Sequence, residues 1–381
     1  MDIDFTWLLW GLPLAFALGW AASRLDLRQW RMESRQAPKA YFRGLNHLLN
    51  EQQDQAIDAF IEAVQSDPDT AELHFALGNL FRRRGDYDRA VRVHEHLMAR
   101  ADLSSKDHDR AQHALAMDFL KAGLLDRAEA ALQKLEGSSF EGEALLALLA
   151  IYERSRDWTQ AQRIALRLEA AEQGSFASRL AHYLCEEAEL AQRSGDNGRA
   201  LGLLQDAVEK APQLVRGWIA LSALKTQTGD LQGGYAALLQ LNQHAPQGLP
   251  LVALTLADLA RQTGRVPQAL ELLQASEQRS PSLDVTEALA SLRSAPAQAR
   301  SDYLAHLERE PSLVMANRWL AGETLSDPVA QTRVLAALEH ASGPLKRYRC
   351  AACGFEAKQH FWHCPGCQSW DSYPARRVEE L

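Results

Sequence analysis

Four of the five cysteines in this 381-residue chain fall within residues 350–367, at Cys350, Cys353, Cys364 and Cys367. Their spacing is C-x2-C-x10-C-x2-C. Each C-x2-C pair lets one tight turn present two sulfurs to one ion. Four thiolates then make a tetrahedral set that suits zinc or iron. Gly354 and the Pro365-Gly366 pair place turn-forming residues beside the two ligand pairs. A lone C-x2-C does dithiol–disulfide chemistry in other proteins, but two such pairs this close together favour one shared ion. The clustering also argues against a disulfide framework, and thiolate ligands imply a reducing compartment. The four cysteines are therefore read as the ligands of one iron or zinc ion. His360 and His363 flank the third ligand, but the cysteine set is complete without them. Phe355, Phe361, Trp362 and Trp370 are expected to form a small apolar shell around the site. A module this short has little core of its own, so the metal should supply much of its folding energy.

The C-P-x-C and C-G-F elements resemble rubredoxin knuckles. Rubredoxins proper have a much longer stretch between the two pairs, so residues 344–381 read as a shortened, rubredoxin-like metal-binding domain. That departure weakens an electron-transfer reading. No other chemistry stands out. There is no phosphate-binding loop, no H-E-x-x-H, no G-x-S-x-G elbow and no dinucleotide glycine fingerprint. The fifth cysteine, Cys185, sits among apolar and small residues at helical spacing and reads as a buried structural thiol. No catalytic residue and no organic cofactor is expected, and the chain is not read as an enzyme.

The elements that must carry this module are helical repeats. From residue 37 to 285 a small residue followed four later by a larger one, except for an alanine at Ala165, recurs at Ala56/Phe60, Ala90/His94, Ala128/Leu132, Ala161/Ala165, Ala200/Leu204, Gly234/Leu238 and Ala269/Leu273. Successive intervals are 34, 38, 33, 39, 34 and 35 residues. A 34-residue period with A-x3-F is the tetratricopeptide signature. Gly85, Gly123, Gly195, Gly229 and Gly264 each stand five residues before the small residue, and Pro68, Pro212, Pro246 and Pro281 twelve after it. Gly44 and Gly78 fill the small position of the first helix in the first two repeats. The small residue lets the two helices of a hairpin approach closely, and the large one fills the space beside it. One hairpin cannot bury its apolar face alone; stacked neighbours can. Arg82, Arg83 and Arg84 are candidates for a partner-binding face, or simply a solvated helix end. Residues 286–343 lose the consensus but keep helical spacing over 297–309, 312–322 and 327–341, and read as degenerate repeats or a cap.

At the other end, residues 5–22 contain no charged residue. Eighteen residues rising ~1.5 Å each cover about 27 Å, close to the ~30 Å of a hydrocarbon core. Trp7, Trp10 and Trp20 suit the interfaces. A secretory signal would need basic residues before the apolar run, whereas Asp2 and Asp4 precede this one. The basic residues follow it, at Arg24, Arg28, Arg31, Arg35 and Lys39. Residues 1–23 are thus read as a transmembrane anchor and 24–36 as a basic juxtamembrane linker. The N-terminus lies outside and the bulk of the chain in the cytoplasm, in agreement with the reduced cysteines. The expected fold class is all-α: a tetratricopeptide superhelix with one N-terminal transmembrane helix and a small C-terminal metal knuckle.

Composition fits a folded protein, with 46% hydrophobic and 24% charged residues. A net charge of −8 disfavours nucleic acid as a partner. Residues 344–381, with six basic and four acidic residues, offer only slight support for it. The order of anchor, repeats and terminal cysteine pairs resembles the lipopolysaccharide assembly protein B family of Gram-negative bacteria over the full length. That resemblance implies an inner-membrane adaptor that regulates lipopolysaccharide synthesis by promoting proteolysis of the deacetylase LpxC by the membrane protease FtsH. It implies FtsH, LpxC and other lipopolysaccharide-synthesis or transport proteins as partners, beside the inner membrane; self-association stays open. It also implies that the metal ligands are Cys350, Cys353, Cys364 and Cys367. The alternative reading is a membrane-tethered, rubredoxin-like electron-transfer protein.

Overall fold

A computed structural model of the chain describes residues 15–20, 39–67, 69–324 and 326–381. The chain divides into two compact units that meet between Ser155 and Arg156. The apolar segment 5–22 lies outside the described residues except for 15–20, which are helical and exposed. Among the described residues no helix is long and apolar enough to cross a membrane.

The first unit consists of α1 (Lys39–Leu49), α2 (Gln53–Ser66), α3 (Ala71–Arg84), α4 (Tyr87–Met98), α5 (Ser105–Lys121), α6 (Leu125–Gln133) and α7 (Glu141–Ser155). Successive helices pack as hairpins, and the repeated pairs are their seams. Ala56, Ala90 and Ala128 are fully buried, as are Phe60, His94 and Leu132 to within 1%. A Cβ added at Gly44 would lie 2.8 Å from the Phe60 ring, and one at Gly78 2.5 Å from His94 Nε2. These glycines are therefore needed for close approach. His94 occupies the large-residue position with a polar ring. Its Nδ1 meets the fully buried carboxylate of Asp118, which also accepts from Arg82 Nη1 at 2.8 Å. Arg82 is thus committed to a contact between repeats, and Arg84 pairs with Asp54.

The second unit contains α8 (Trp158–Ala170), α9 (Ala177–Arg193), α10 (Asn197–Lys210), α11 (Val215–Gln227) and α12 (Leu231–His244). A 3-10 segment, Pro246–Val252, leads to α13 (Ala253–Thr263) and α14 (Val266–Arg279). Then come α15 (Leu283–Leu292), α16 (Pro296–Arg309), α17 (Leu313–Ala321) and α18 (Pro328–Ser342). The stretch after residue 285 thus continues the helix–turn–helix alternation. Ala161, Ala165, Ala200, Leu204, Leu238, Ala269 and Leu273 are again buried.

All five turn glycines adopt positive φ, between 73° and 90°. That is the left-handed conformation that ends a helix at least cost on glycine. Two repeats place other residues at the same point: Glu51 and Arg156, both at φ 59°. The next residue caps the following helix in several repeats. Asp157, Asp196 and Asp230 accept from the backbone N–H groups of Gln160, Arg199 and Gly233 at 3.1, 2.9 and 2.8 Å.

Candidate metal centre

Residues 344–381 fold as two tight turns facing each other. The first hangs from a short antiparallel pair, β1 (Tyr348–Arg349) and β2 (Glu356–Ala357), with Tyr348 opposite Ala357. Within it Cys350 N–H donates to Phe355 O and Gly354 N–H to Cys350 O, both at 2.9 Å. The second turn repeats this arrangement: Cys364 N–H donates to Ser369 O at 3.0 Å and Gln368 N–H to Cys364 O at 2.8 Å. The left-handed residues of the two turns are Gly354 (φ 79°) and Gln368 (φ 60°). Pro365 and Gly366 lie in the second turn, as expected, with Gly366 outside the left-handed region.

The two turns bring the sulfurs of Cys350, Cys353, Cys364 and Cys367 within 4.8 Å of one another, a group able to hold one metal ion. Cys350 and Cys367 sulfurs are 3.8 Å apart, and those of Cys353 and Cys364 3.7 Å. Four sulfurs bound tetrahedrally at ~2.3 Å from an ion would be spaced about 3.8 Å apart, whereas a disulfide needs ~2.05 Å. The donor set therefore fits a single tetrahedral ion. The Cys350 and Cys367 sulfurs lie 3.3 Å from the Ser372 and Ser369 hydroxyl oxygens, within hydrogen-bond reach. Burial pushes the Cys350 thiol up, but the Ser372 hydroxyl and the N–H groups of Cys353 and Ala352 outweigh it and hold it down to about 6. Such donors favour thiolate, the ligating form.

Cys350 and Cys364 are buried with Tyr348 and Tyr373, and Phe361 packs against them. Phe355 instead is 43% exposed. His360 Nε2 donates to Tyr373 O at 3.0 Å, and His363 stacks on Trp370 with ring centroids 4.4 Å apart. Both rings thus have work other than ligation. The expected apolar shell is corrected as well. Trp370 lies outside the cluster that buries Cys350 and Cys364 and seats the module on the repeats. Its ring stacks on His182 of α9 at 4.5 Å and meets Trp158 of α8 and Tyr183 edge-on. Leu251 of the 3-10 segment joins the tyrosines in the module's own core.

Polar contacts fix the seat. Asp371 accepts from Ser178 Oγ at 3.1 Å and lies 2.9 Å from His182 Nε2. Burial lowers the His182 pKa despite Asp371, so its neutral ring donates Nε2–H to the carboxylate. The serine touches the carboxylate rather than the imidazole, so the three groups do not form a base-activated nucleophile. Cys185, also on α9, is fully buried, and burial pushes its thiol up to about 12.

The last residues reach back to the final helices. Arg377 forms a two-pronged ion pair with Asp284 of α15 at 2.9 and 2.8 Å and donates to Lys346 O. Its guanidinium lies 4.2 Å from the Tyr348 ring. Glu380 accepts from Leu283 N–H at 2.9 Å at the start of α15. Glu379 accepts from Ser312 Oγ and Leu313 N–H at the start of α17. Both carboxylates meet backbone donors that a helix N-terminus leaves unpaired. The basic residues Arg377 and Lys346 are thereby engaged with Asp284 and Glu339.

Comparison with known proteins gives this arrangement a relationship. Residues 348–373 match a rubredoxin metal binding domain and residues 43–93 a tetratricopeptide repeat. Lipopolysaccharide assembly protein B of Escherichia coli K12 is 32% identical over 97% of this chain and 98% of its own length. The chain belongs to the lipopolysaccharide assembly protein B family. The Haemophilus influenzae lipopolysaccharide assembly protein B is 27% identical over 95% of this chain and 96% of its own. In this family member the metal module and the tetratricopeptide repeats are one packed structure within the second unit.

Proposed function

We propose that the chain is a non-enzymatic, membrane-anchored adaptor of lipopolysaccharide assembly that brings LpxC to the FtsH protease. The carrying observation is the near full-length similarity to lipopolysaccharide assembly protein B, across both the repeats and the metal module. The packing supports a scaffold: the four thiols sit in a module whose Trp370, Asp371, Arg377, Glu379 and Glu380 grip helices. In this reading Cys350, Cys353, Cys364 and Cys367 ligate one zinc or iron ion. The ion draws the two turns together and thereby orients Trp370, Asp371 and the tail; its role is structural.

The anchor reading rests on the uncharged run 5–22 and the basic stripe that follows it. Confinement to the inner-membrane surface raises the effective concentration of the adaptor beside membrane-bound partners, so individually weak contacts suffice. An in-cell crosslinking pull-down of the full-length chain tests the reading. FtsH and LpxC should be recovered together, and recovery of neither would overturn it.

A further inference from the structure

Two serines beside the cysteine cluster are used by neither the seat nor the tail. Ser372 Oγ lies 3.3 Å from Cys350 Sγ and Ser369 Oγ 3.3 Å from Cys367 Sγ, so each C-x2-C pair has a hydroxyl beside one of its sulfurs. Backbone bonds fix where the hydroxyls stand. Ser369 O accepts from Cys364 N–H at 3.0 Å, which places Ser369 inside the second turn. Ser372 O accepts from Ala351 N–H at 2.7 Å, so a residue that follows the second pair is tied across to the first turn. Neither bond uses the side chain. Backbone N–H groups serve the same sulfurs: those of Cys353 and Ala352 reach Cys350, and that of Ser369 reaches Cys367. Such amide donors come with the turn whatever its side chains are. The hydroxyls depend on serine being there.

The direction of the hydroxyl hydrogens follows from the state of the sulfurs. A metal-bound cysteine sulfur carries no hydrogen, so it can only accept. Ser372 Oγ has a second acceptor within reach, Ser369 O at 3.2 Å. The thiolate is charged and the carbonyl is not, so the thiolate takes the hydrogen. Four thiolates leave more net negative charge around a divalent ion than around a trivalent one. Hydrogen bonds to sulfur therefore stabilise the divalent complex more strongly.

We infer that Ser369 and Ser372 are selectivity residues of the metal centre, whose hydroxyls hold Cys350 and Cys367 as thiolates around a divalent ion and disfavour a trivalent one. The site is thereby biased toward retaining zinc or ferrous iron. The inference deepens the reading of the ion as structural, and it rests on the four cysteines being its ligands.

The test uses the full-length chain loaded with zinc alone or with iron alone. Wild type is compared with Ser369→Ala/Ser372→Ala and with Ser369→Thr/Ser372→Thr. Competition with a chromophoric chelator reads zinc affinity, and a redox titration followed by the thiolate-to-ferric absorption reads iron. The double alanine variant should bind zinc about tenfold more weakly, the low end for lost outer-shell partners. It should also favour trivalent over divalent iron about tenfold, which lowers a one-electron potential by about 59 mV. The double threonine variant keeps both hydroxyls and should match wild type in both readouts. Weaker zinc binding with an unchanged potential would reduce the serines to a folding role and overturn the inference. An upward shift in potential, or an equal loss in the threonine variant, would overturn it as well. If iron gives no thiolate absorption in the wild-type chain, the ligand assignment falls and the inference with it. Normal absorption with no effect of the serines overturns this inference alone.

Discussion

Replacing Arg377 by methionine keeps an unbranched apolar side chain and removes the guanidinium from both Asp284 and the Tyr348 ring. The Asp284 side chain is only 11% exposed and the Arg377 side chain 23%, so solvent compensates little. Breaking a buried pair leaves the other charge stranded at a cost of about 3–5 kcal/mol. The residual exposure of the arginine moves the expectation to the lower end, about 3 kcal/mol, and the lost cation–π contact is included in that figure. At ~1.4 kcal/mol per factor of ten, the tail should open roughly 100-fold more often. Amide hydrogen exchange reads this directly. Val378 N–H, bonded to Arg347 O at 2.7 Å, and Leu283 N–H, bonded to Glu380, should both lose protection by that factor. In an Asp284→Asn background the same substitution should cost under about 1 kcal/mol, because the stranded charge is gone. Unchanged protection of both amides in Arg377→Met would refute the claim that the tail clamps the module to the last helices.

Chelation should unfold residues 344–373 and free Trp370 from His182, while far-ultraviolet circular dichroism stays largely helical; intact exchange protection of the knuckle without metal would count against the structural role of the ion. Gly78→Ala should destabilise the first unit by up to about 2 kcal/mol in urea denaturation, since overpacking against the fixed His94 ring costs about 1–3 kcal/mol and helix propensity returns about 1. Gly202→Ala, where an added Cβ meets nothing within 4 Å, should instead stabilise by roughly 0.5–1 kcal/mol. Gln368→Gly and Arg156→Gly relieve left-handed strain of about 1 kcal/mol, partly offset by unfolded-state entropy, and each should raise the melting temperature slightly.

The periodic features of the chain were legible because packing imposes them at fixed spacing. Every small residue of the seven pairs sits at a helix seam because close helix approach tolerates nothing larger there. The turn glycines were legible for the same reason, since left-handed backbone favours glycine. Glu51 and Arg156 stayed hidden because a left-handed residue that is not glycine carries no sequence signal of its own. The Asp157, Asp196 and Asp230 caps had a signal that went unused, an aspartate directly after the turn residue. The four-cysteine spacing marked the candidate site. It did not mark Gln368 as the left-handed residue of the second turn, since a non-glycine residue there carries no signal. Least legible was the seating of the module. Asp371 meets a helix 189 residues earlier in the chain, and Arg377 meets Asp284 93 residues earlier. Contacts at such separations leave no periodicity, so Trp370 read as part of a local shell rather than as an anchor on α9.

The most direct test of the account is the half-life of LpxC in cells whose only copy of the chain carries Cys350→Ser with Cys364→Ser or, separately, Trp370→Ala. The first variant removes the metal and the second removes the aromatic seat while leaving all four cysteines in place. The account predicts that both variants reach normal levels at the membrane and that both prolong the LpxC half-life, because each detaches the module from the repeats. Wild-type LpxC turnover in both strains would contradict it.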